Sequence, residues 1–184
     1  MVPASMLLPE VVAIALAGFV AWLFVVAGLH KLRYPAQFSE LAAQYLPAPL
    51  RPLWRDALVY PVGVVEIAIA LALLPPQTRG AAAIAAAVLL AAYALMMAWQ
   101  LALGRRDLRC GCAGPASEVL VSPALVVRNL LTAGVALLLA LPLEPMALSG
   151  AGILLALCMA GFLVALYLGA EQLISNSQHM ARSR

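Results

Sequence analysis

Three stretches of this chain, Val11 to Leu29, Gly80 to Leu103 and Pro145 to Ala170, contain no Asp, Glu, Lys or Arg. A helix needs about 20 apolar residues to cross a hydrocarbon core about 30 Å thick, so each stretch is long enough to span a bilayer. Two more qualify if one ionisable residue is accepted in each: Ala57 to Leu74 holds Glu66, and Val119 to Leu141 holds Arg128. The rest of the chain cannot supply the shell of a soluble domain. Charged residues make up 10% of the 184 and hydrophobic ones 65%, whereas an ordinary soluble domain is roughly 25% charged. A disordered chain is excluded by the same balance, because disorder needs low hydrophobicity and high net charge.

The pattern predicts an all-α polytopic membrane protein forming a single membrane domain over 1–184. Its five spans are expected at about 9–29, 57–74, 80–103, 122–141 and 147–170. Pro75 and Pro76, then Pro142 and Pro145, mark tight turns between antiparallel helices. Phe38, Leu41, Ala42 and Tyr45 fall on one helical face, which predicts a short interfacial helix over about 36–46, ended by Pro47, Pro49 and Pro52. Trp54 and Tyr60 are placed to anchor entry into the second span. The first span reads as retained, not as a secretory signal: residues 1–10 carry no Lys or Arg, and no small-residue cleavage pattern interrupts Val20 to Leu29. The polar tail Ser175-Asn176-Ser177-Gln178 is expected to be mobile.

Sidedness follows from the basic residues. Lys31, Arg33, Arg51, Arg55, Arg105, Arg106, Arg109, Arg182 and Arg184 fall on one side of the five-span arrangement, and Arg79 on the other. Basic loops stay in the cytoplasm, so the N-terminus is expected outside and the C-terminus inside, in the cytoplasmic membrane of the cell. The loop from Gly104 to Ser122 then faces the cytoplasm.

That loop contains Cys110-Gly111-Cys112, preceded within five residues by Arg105, Arg106 and Arg109. A thiolate is the nucleophile of disulfide exchange, and nearby cations lower a thiol pKa from about 8.5 towards neutrality. Residues two apart can approach within the Cα separation of about 4.4 to 6.8 Å that a disulfide needs, and Gly111 widens the backbone choices. Metal binding and accidental thiols are the alternatives. Zinc prefers four ligands, and the other candidates, Cys158, His30 and His179, show no recognisable spacing. The arginines favour an exchange pair. No cofactor, metal or nucleic acid is implied.

The segment Ala27-Gly28-Leu29-His30-Lys31-Leu32-Arg33-Tyr34-Pro35-Ala36-Gln37-Phe38, the run Pro61-Val62-Gly63-Val64-Val65-Glu66, the motif Cys110-Gly111-Cys112-Ala113-Gly114 and the pair Arg128-Asn129 together resemble the methylamine utilisation protein MauE family, a relative of DoxX-like membrane proteins. Cys-Gly-Cys followed by Arg-Asn is the specific part, and Ala113 stands where the family usually has an aromatic residue. The resemblance implies a DoxX-like antiparallel four-helix bundle plus a fifth transmembrane helix. It also implies a maturation factor that works with a thioredoxin-like, MauD-type partner on disulfides of the methylamine dehydrogenase small subunit. Two alternatives stand beside it: a non-redox membrane anchor or assembly subunit, and a DoxX-like, quinone-linked redox subunit.

Two charges fall where lipid should exclude them. Glu66 lies about nine residues into its span, near mid-bilayer at 1.5 Å per residue, where an isolated carboxylate costs at least about 2.5 kcal/mol. It is expected to face the bundle interior and to pair with Arg128 or with a residue near His30 and Lys31. The expected working set is therefore Cys110 and Cys112 as the redox pair, supported by Glu66, Arg128 and Arg109. Cys158 is read as a packing residue or an electron relay. Gly152, Ala156 and Ala160, with Gly161, Ala165 and Gly169, form small-residue stripes suited to close helix approach.

Overall fold

The computed structural model describes residues 8–45, 51–110, 119–141, 143–144 and 149–182, with the side chains of residues 8, 51–56, 143–144 and 182 left out. Six helices account for nearly all of it: α1 (Glu10–Arg33), α2 (Pro35–Tyr45), α3 (Arg51–Ala72), α4 (Pro76–Ala102), α5 (Pro123–Leu138) and α6 (Gly150–Arg182). A two-residue parallel pairing of Leu8–Pro9 with Leu143–Glu144 joins the approach to α1 with the chain after α5. The protein is an all-α polytopic membrane protein. α1, α4 and α6 are long and apolar enough to cross a membrane, and α3 and α5 contribute shorter apolar segments, Ala57–Ala72 and Pro123–Leu138.

The helices run beyond the apolar windows because local chemistry lets them. α1 continues through His30 and Lys31 to Arg33, with basic residues in its last turn, where the helix dipole favours cations. Pro76 opens α4 and Pro123 opens α5 at the first helical position, where a missing N–H costs nothing. At the other end of α4 the Gly104 N–H donates to the Leu101 carbonyl and the Arg105 N–H to that of Gln100. Gly104 has φ +77°, so this is a Schellman cap on a left-handed glycine. It turns the chain sharply out of α4 into the arginine and cysteine segment.

α3 packs antiparallel on α1, and two glycines set the distance. A Cβ on Gly28 would lie 2.9 Å from the Gly63 carbonyl oxygen and from Ile67, and one on Gly63 would meet Leu32 at 3.2 Å. α6 packs along α1 as well: Ala160 lies 3.5 Å from a Cβ built on Gly18, and Tyr167 meets Phe19 and Trp22 edge to face. The stripe containing Ala156 and Ala160 thus faces α1, whereas Gly161 and Gly169 face open space. Just 6% of the apolar window of α6 is buried, so most of this helix, Cys158 included, presents an apolar surface suited to lipid.

One expectation is corrected here. The polar tail expected as a mobile end is helical: α6 continues to Arg182, and Gln178 is hydrogen bonded to the cysteine loop. The side chain of Trp54 lies outside the described residues, as do Cys112, Ala113 and Gly114.

Candidate functional site

The cysteine loop is anchored at its base. Leu108 to Cys110 runs antiparallel to Val119 to Val121, with the Cys110 N–H donating to the Val119 carbonyl at 3.0 Å and the Val121 N–H to that of Leu108 at 2.8 Å. Side chains alternate in such a pair. Leu108 is therefore buried and Cys110 half-buried towards the helices, while Arg109 between them is exposed. Leu108, Val119 and Val121 form an apolar cluster with Met97 and Leu125, and Cys110, Tyr45 and Ile174 pack against it.

Three helices hold this base from outside. From α2, the Tyr45 hydroxyl donates to the Arg109 carbonyl at 2.9 Å. The Gln178 amide of α6 acts like a short extra strand, accepting from the Leu120 N–H and donating to the Leu120 carbonyl, both at 2.9 Å. Beyond the α4 cap, Arg105 donates to the Gln100 side chain at 3.0 Å and to the Gln44 carbonyl at 2.7 Å. Of the three arginines before the cysteine motif, Arg105 is thereby structural, whereas Arg106 and Arg109 are exposed. The Cys110 Sγ lies 3.7 Å from Met97 Sδ on α4, at a cleft of about 270 Å³ between α2, α3 and α4. Lys31 and Tyr93 also line that cleft.

Glu66 lies on α3, fully buried. Lys31 Nζ donates to its two oxygens at 2.8 and 2.9 Å, and the Tyr93 hydroxyl donates to Oε1 at 2.7 Å. The close approach of Gly28 to Gly63, one turn away, brings the two backbones near enough for this pair. Lys31 Nζ also sits 5.4 Å from the Phe38 ring centroid and 5.6 Å from that of Tyr93, within cation–π range. Of the two partners expected for Glu66, the residue at the end of α1 is the one in contact.

Arg128 instead turns to α6. It is buried, with Nη1 3.8 Å from Glu171 Oε2 and its guanidinium 4.7 Å from the Tyr167 ring centroid. A second cavity of about 270 Å³ lies between the two charged pairs, lined by His30, Lys31, Glu66, Tyr93, Asn129 and Glu171 among others. Asn129 Nδ2 and His30 Nδ1 are buried without a hydrogen-bond partner among the described residues. Lys31 and Tyr93 face both cavities, so the Lys31–Glu66–Tyr93 group forms the wall between them. Among the described residues no cluster of three or more His, Cys, Asp or Glu is placed to hold a metal.

Sequence reasoning does not assign Tyr93, Glu171, Tyr45 or Gln178 to the site, reading Tyr45 only as part of the interfacial helix face and Gln178 only as part of a polar tail. Two of them carried a signal: Tyr93 is one of few residues with a polar atom inside α4, and Glu171 is the one acidic residue in α6.

The family model "Methylamine utilisation protein MauE" matches residues 9–142, which contain the cysteine loop and the Lys31, Glu66 and Arg128 positions. The chain belongs to the MauE family. It is similar to the methylamine utilization protein MauE of Paracoccus denitrificans, 37% identical over 137 residues, 74% of this chain and 73% of the relative. It is also similar to MauE of Methylophilus methylotrophus, 32% identical over 174 residues, 92% of this chain and 90% of the relative. That second match extends MauE likeness over most of α6. No solved structure matches the chain.

Proposed function

We propose that this MauE-family protein is a membrane accessory factor in thiol–disulfide exchange, with Cys110 and Cys112 as the exchanging pair. The observation that carries this reading is the seating of Cys110. A thiol that served by accident would need no anchoring, whereas this one sits on a strand pair fixed from α2 and α6, on a segment capped out of α4, and beside an open cleft. A redox cysteine must present its sulfur in a set direction to a second sulfur, and a fixed base does that. Arg109 supplies exposed positive charge next to it. Glu66 and Arg128 support the site from within the bundle, each facing an oppositely charged side chain on another helix and so fixing how the helices meet.

The partner in this reading is a thioredoxin-like protein of the MauD type, and the client is the methylamine dehydrogenase small subunit. Five helices cross the cytoplasmic membrane, with the N-terminus outside, the C-terminus inside, and α2 on the interface. Replacing Cys110 and Cys112 together by Ser tests the function. The client is expected to lose correct disulfides; unchanged client disulfides would sink the proposal.

A second reading, a membrane anchor without redox chemistry, is favoured by the open small-residue face of α6 at Gly161 and Gly169. It predicts the opposite pattern, with the double Ser variant active and Gly161→Leu unable to assemble with its partners.

A further inference from the structure

The cleft beside Cys110 points to the kind of segment the thiol reacts with, an inference that rests on the exchange function proposed above. Alternation along Leu108, Arg109 and Cys110 turns the thiol towards α4, away from the open side taken by Arg109. On that side the sulfur faces a cleft walled by Phe38, Leu41, Tyr45, Met96 and Met97. These walls are apolar or aromatic, and two are methionines, whose flexible, polarisable side chains adapt to varied partners. Met96 is 41% exposed, so the cleft is open along its α4 wall. Its volume of about 270 Å³ accommodates one large apolar side chain beside the reacting sulfur. The charge next to the thiol is uneven. Arg106, Asp107 and Arg109 are exposed on the segment leading to Cys110, a net positive charge, with Arg109 on the opposite side of the strand from the cleft, whereas Lys31, which also lines the cleft, is paired with Glu66.

We infer that the cleft is a specificity pocket for a partner segment carrying a large apolar residue next to its exchanging cysteine, with carboxylates flanking that residue. The apolar side chain seats between α2 and α4, and the carboxylates are drawn by the exposed positive charge of Arg106 and Arg109 beyond the cleft, within a Debye length of the thiol. In the exchange step the Cys110 thiolate attacks the sulfur of the partner's cysteine. The new bond joins Cys110 to that sulfur, the partner's own S–S bond breaks, and its electron pair leaves on the departing sulfur. No external oxidant is needed.

The test uses the full chain in phosphatidylcholine nanodiscs, with Cys112→Ser and Cys158→Ser leaving Cys110 as the single thiol. Three pentapeptides activated as 2-pyridyl disulfides are compared, Glu-Phe-Cys-Phe-Glu, Glu-Ser-Cys-Ser-Glu and Lys-Phe-Cys-Phe-Lys, with dithiodipyridine as a small reagent that needs no pocket. Release of pyridinethione reports the rate. The Phe peptide is expected to react about tenfold or more faster than the Ser peptide, as burial of one large apolar side chain implies. The Lys-flanked peptide is expected to be several-fold slower than the Glu-flanked one, with a gap that closes in high salt. Met96→Asp is expected to lower the ratio of the Phe-peptide rate to the small-reagent rate about tenfold, a ratio independent of the thiol's intrinsic reactivity. Phe and Ser peptides reacting within twofold of each other while dithiodipyridine reacts readily would overturn the pocket and leave the exchange function standing. Failure of dithiodipyridine itself to react would overturn the exchange function, and the pocket with it.

Discussion

Replacing Lys31 by Met should be among the most destabilising single changes in this protein. Glu66 receives two hydrogen bonds from Lys31 and one from Tyr93, and its side chain is 1% exposed. Without the ammonium, the carboxylate is left with the neutral Tyr93 hydroxyl as its donor in a low-dielectric interior. Removing one member of a buried ion pair costs about 3–5 kcal/mol. Glu66→Gln should cost less, about 1–2 kcal/mol, because the amide oxygen still accepts from Tyr93 and Lys31, 15% exposed at the end of α1, can turn its ammonium towards water. Lys31→Met combined with Glu66→Gln removes both charges and should recover most of the loss. Thermal unfolding of the detergent-solubilised wild type, both single variants and the double variant reads the cycle. A loss of this size corresponds to a fall of roughly 10 °C in Tm for Lys31→Met. A Tm within about 2 °C of wild type, or a double variant whose loss equals the sum of the single ones, would refute the reasoning.

The same unfolding assay tests the α1–α3 approach: Gly28→Ala forces a methyl against the Gly63 carbonyl and should cost about 1–3 kcal/mol. Gly134→Ala, with nothing within 4 Å, should be neutral or slightly stabilising. Gln178→Ala removes both bonds to Leu120, and hydrogen exchange across Leu120 and Val121 should speed up by about tenfold as the base of the cysteine loop loosens. Protection unchanged there would mean that the apolar cluster alone holds the loop. For sidedness, a membrane-impermeant thiol reagent applied to intact cells should leave Cys110 unlabelled until the membrane is permeabilised; labelling from outside would reverse the orientation.

The uncharged stretches made the helical, membrane-spanning class legible, because a bilayer tolerates few charges and helix length follows from its thickness. The candidate site residues stood out for a related reason: in a chain with so few polar groups, Glu66, Arg128 and the arginine-flanked cysteines are conspicuous. Their partners were not. Whether Glu66 meets Lys31 or Arg128 depends on how α1, α3 and α5 are rotated about their axes, and that rotation is set by contacts between glycines, Gly28 on Gly63, which hydropathy does not register. The role of Gln178 was not legible because a polar run after an apolar helix resembles a frayed end. It remains helical because its amide exchanges two hydrogen bonds with the Leu120 backbone. The cysteine loop's base was hidden for a similar reason: the alternation from Leu108 to Cys110 is too short to read as a strand until its partner from Val119 to Val121 is beside it.

The central claim, that Cys110 and Cys112 exchange disulfides with a partner protein, is tested most directly by trapping. In cells expressing Cys112→Ser, an attacking Cys110 has no neighbouring thiol to resolve its mixed disulfide, so the adduct accumulates. Non-reducing electrophoresis followed by mass spectrometry should find Cys110 linked to a thioredoxin-like protein in a band that disappears on reduction and is absent from the Cys110→Ser, Cys112→Ser variant. A Cys110 thiol that stays fully alkylatable, with no reducible adduct in cells whose methylamine dehydrogenase is being assembled, would contradict the account.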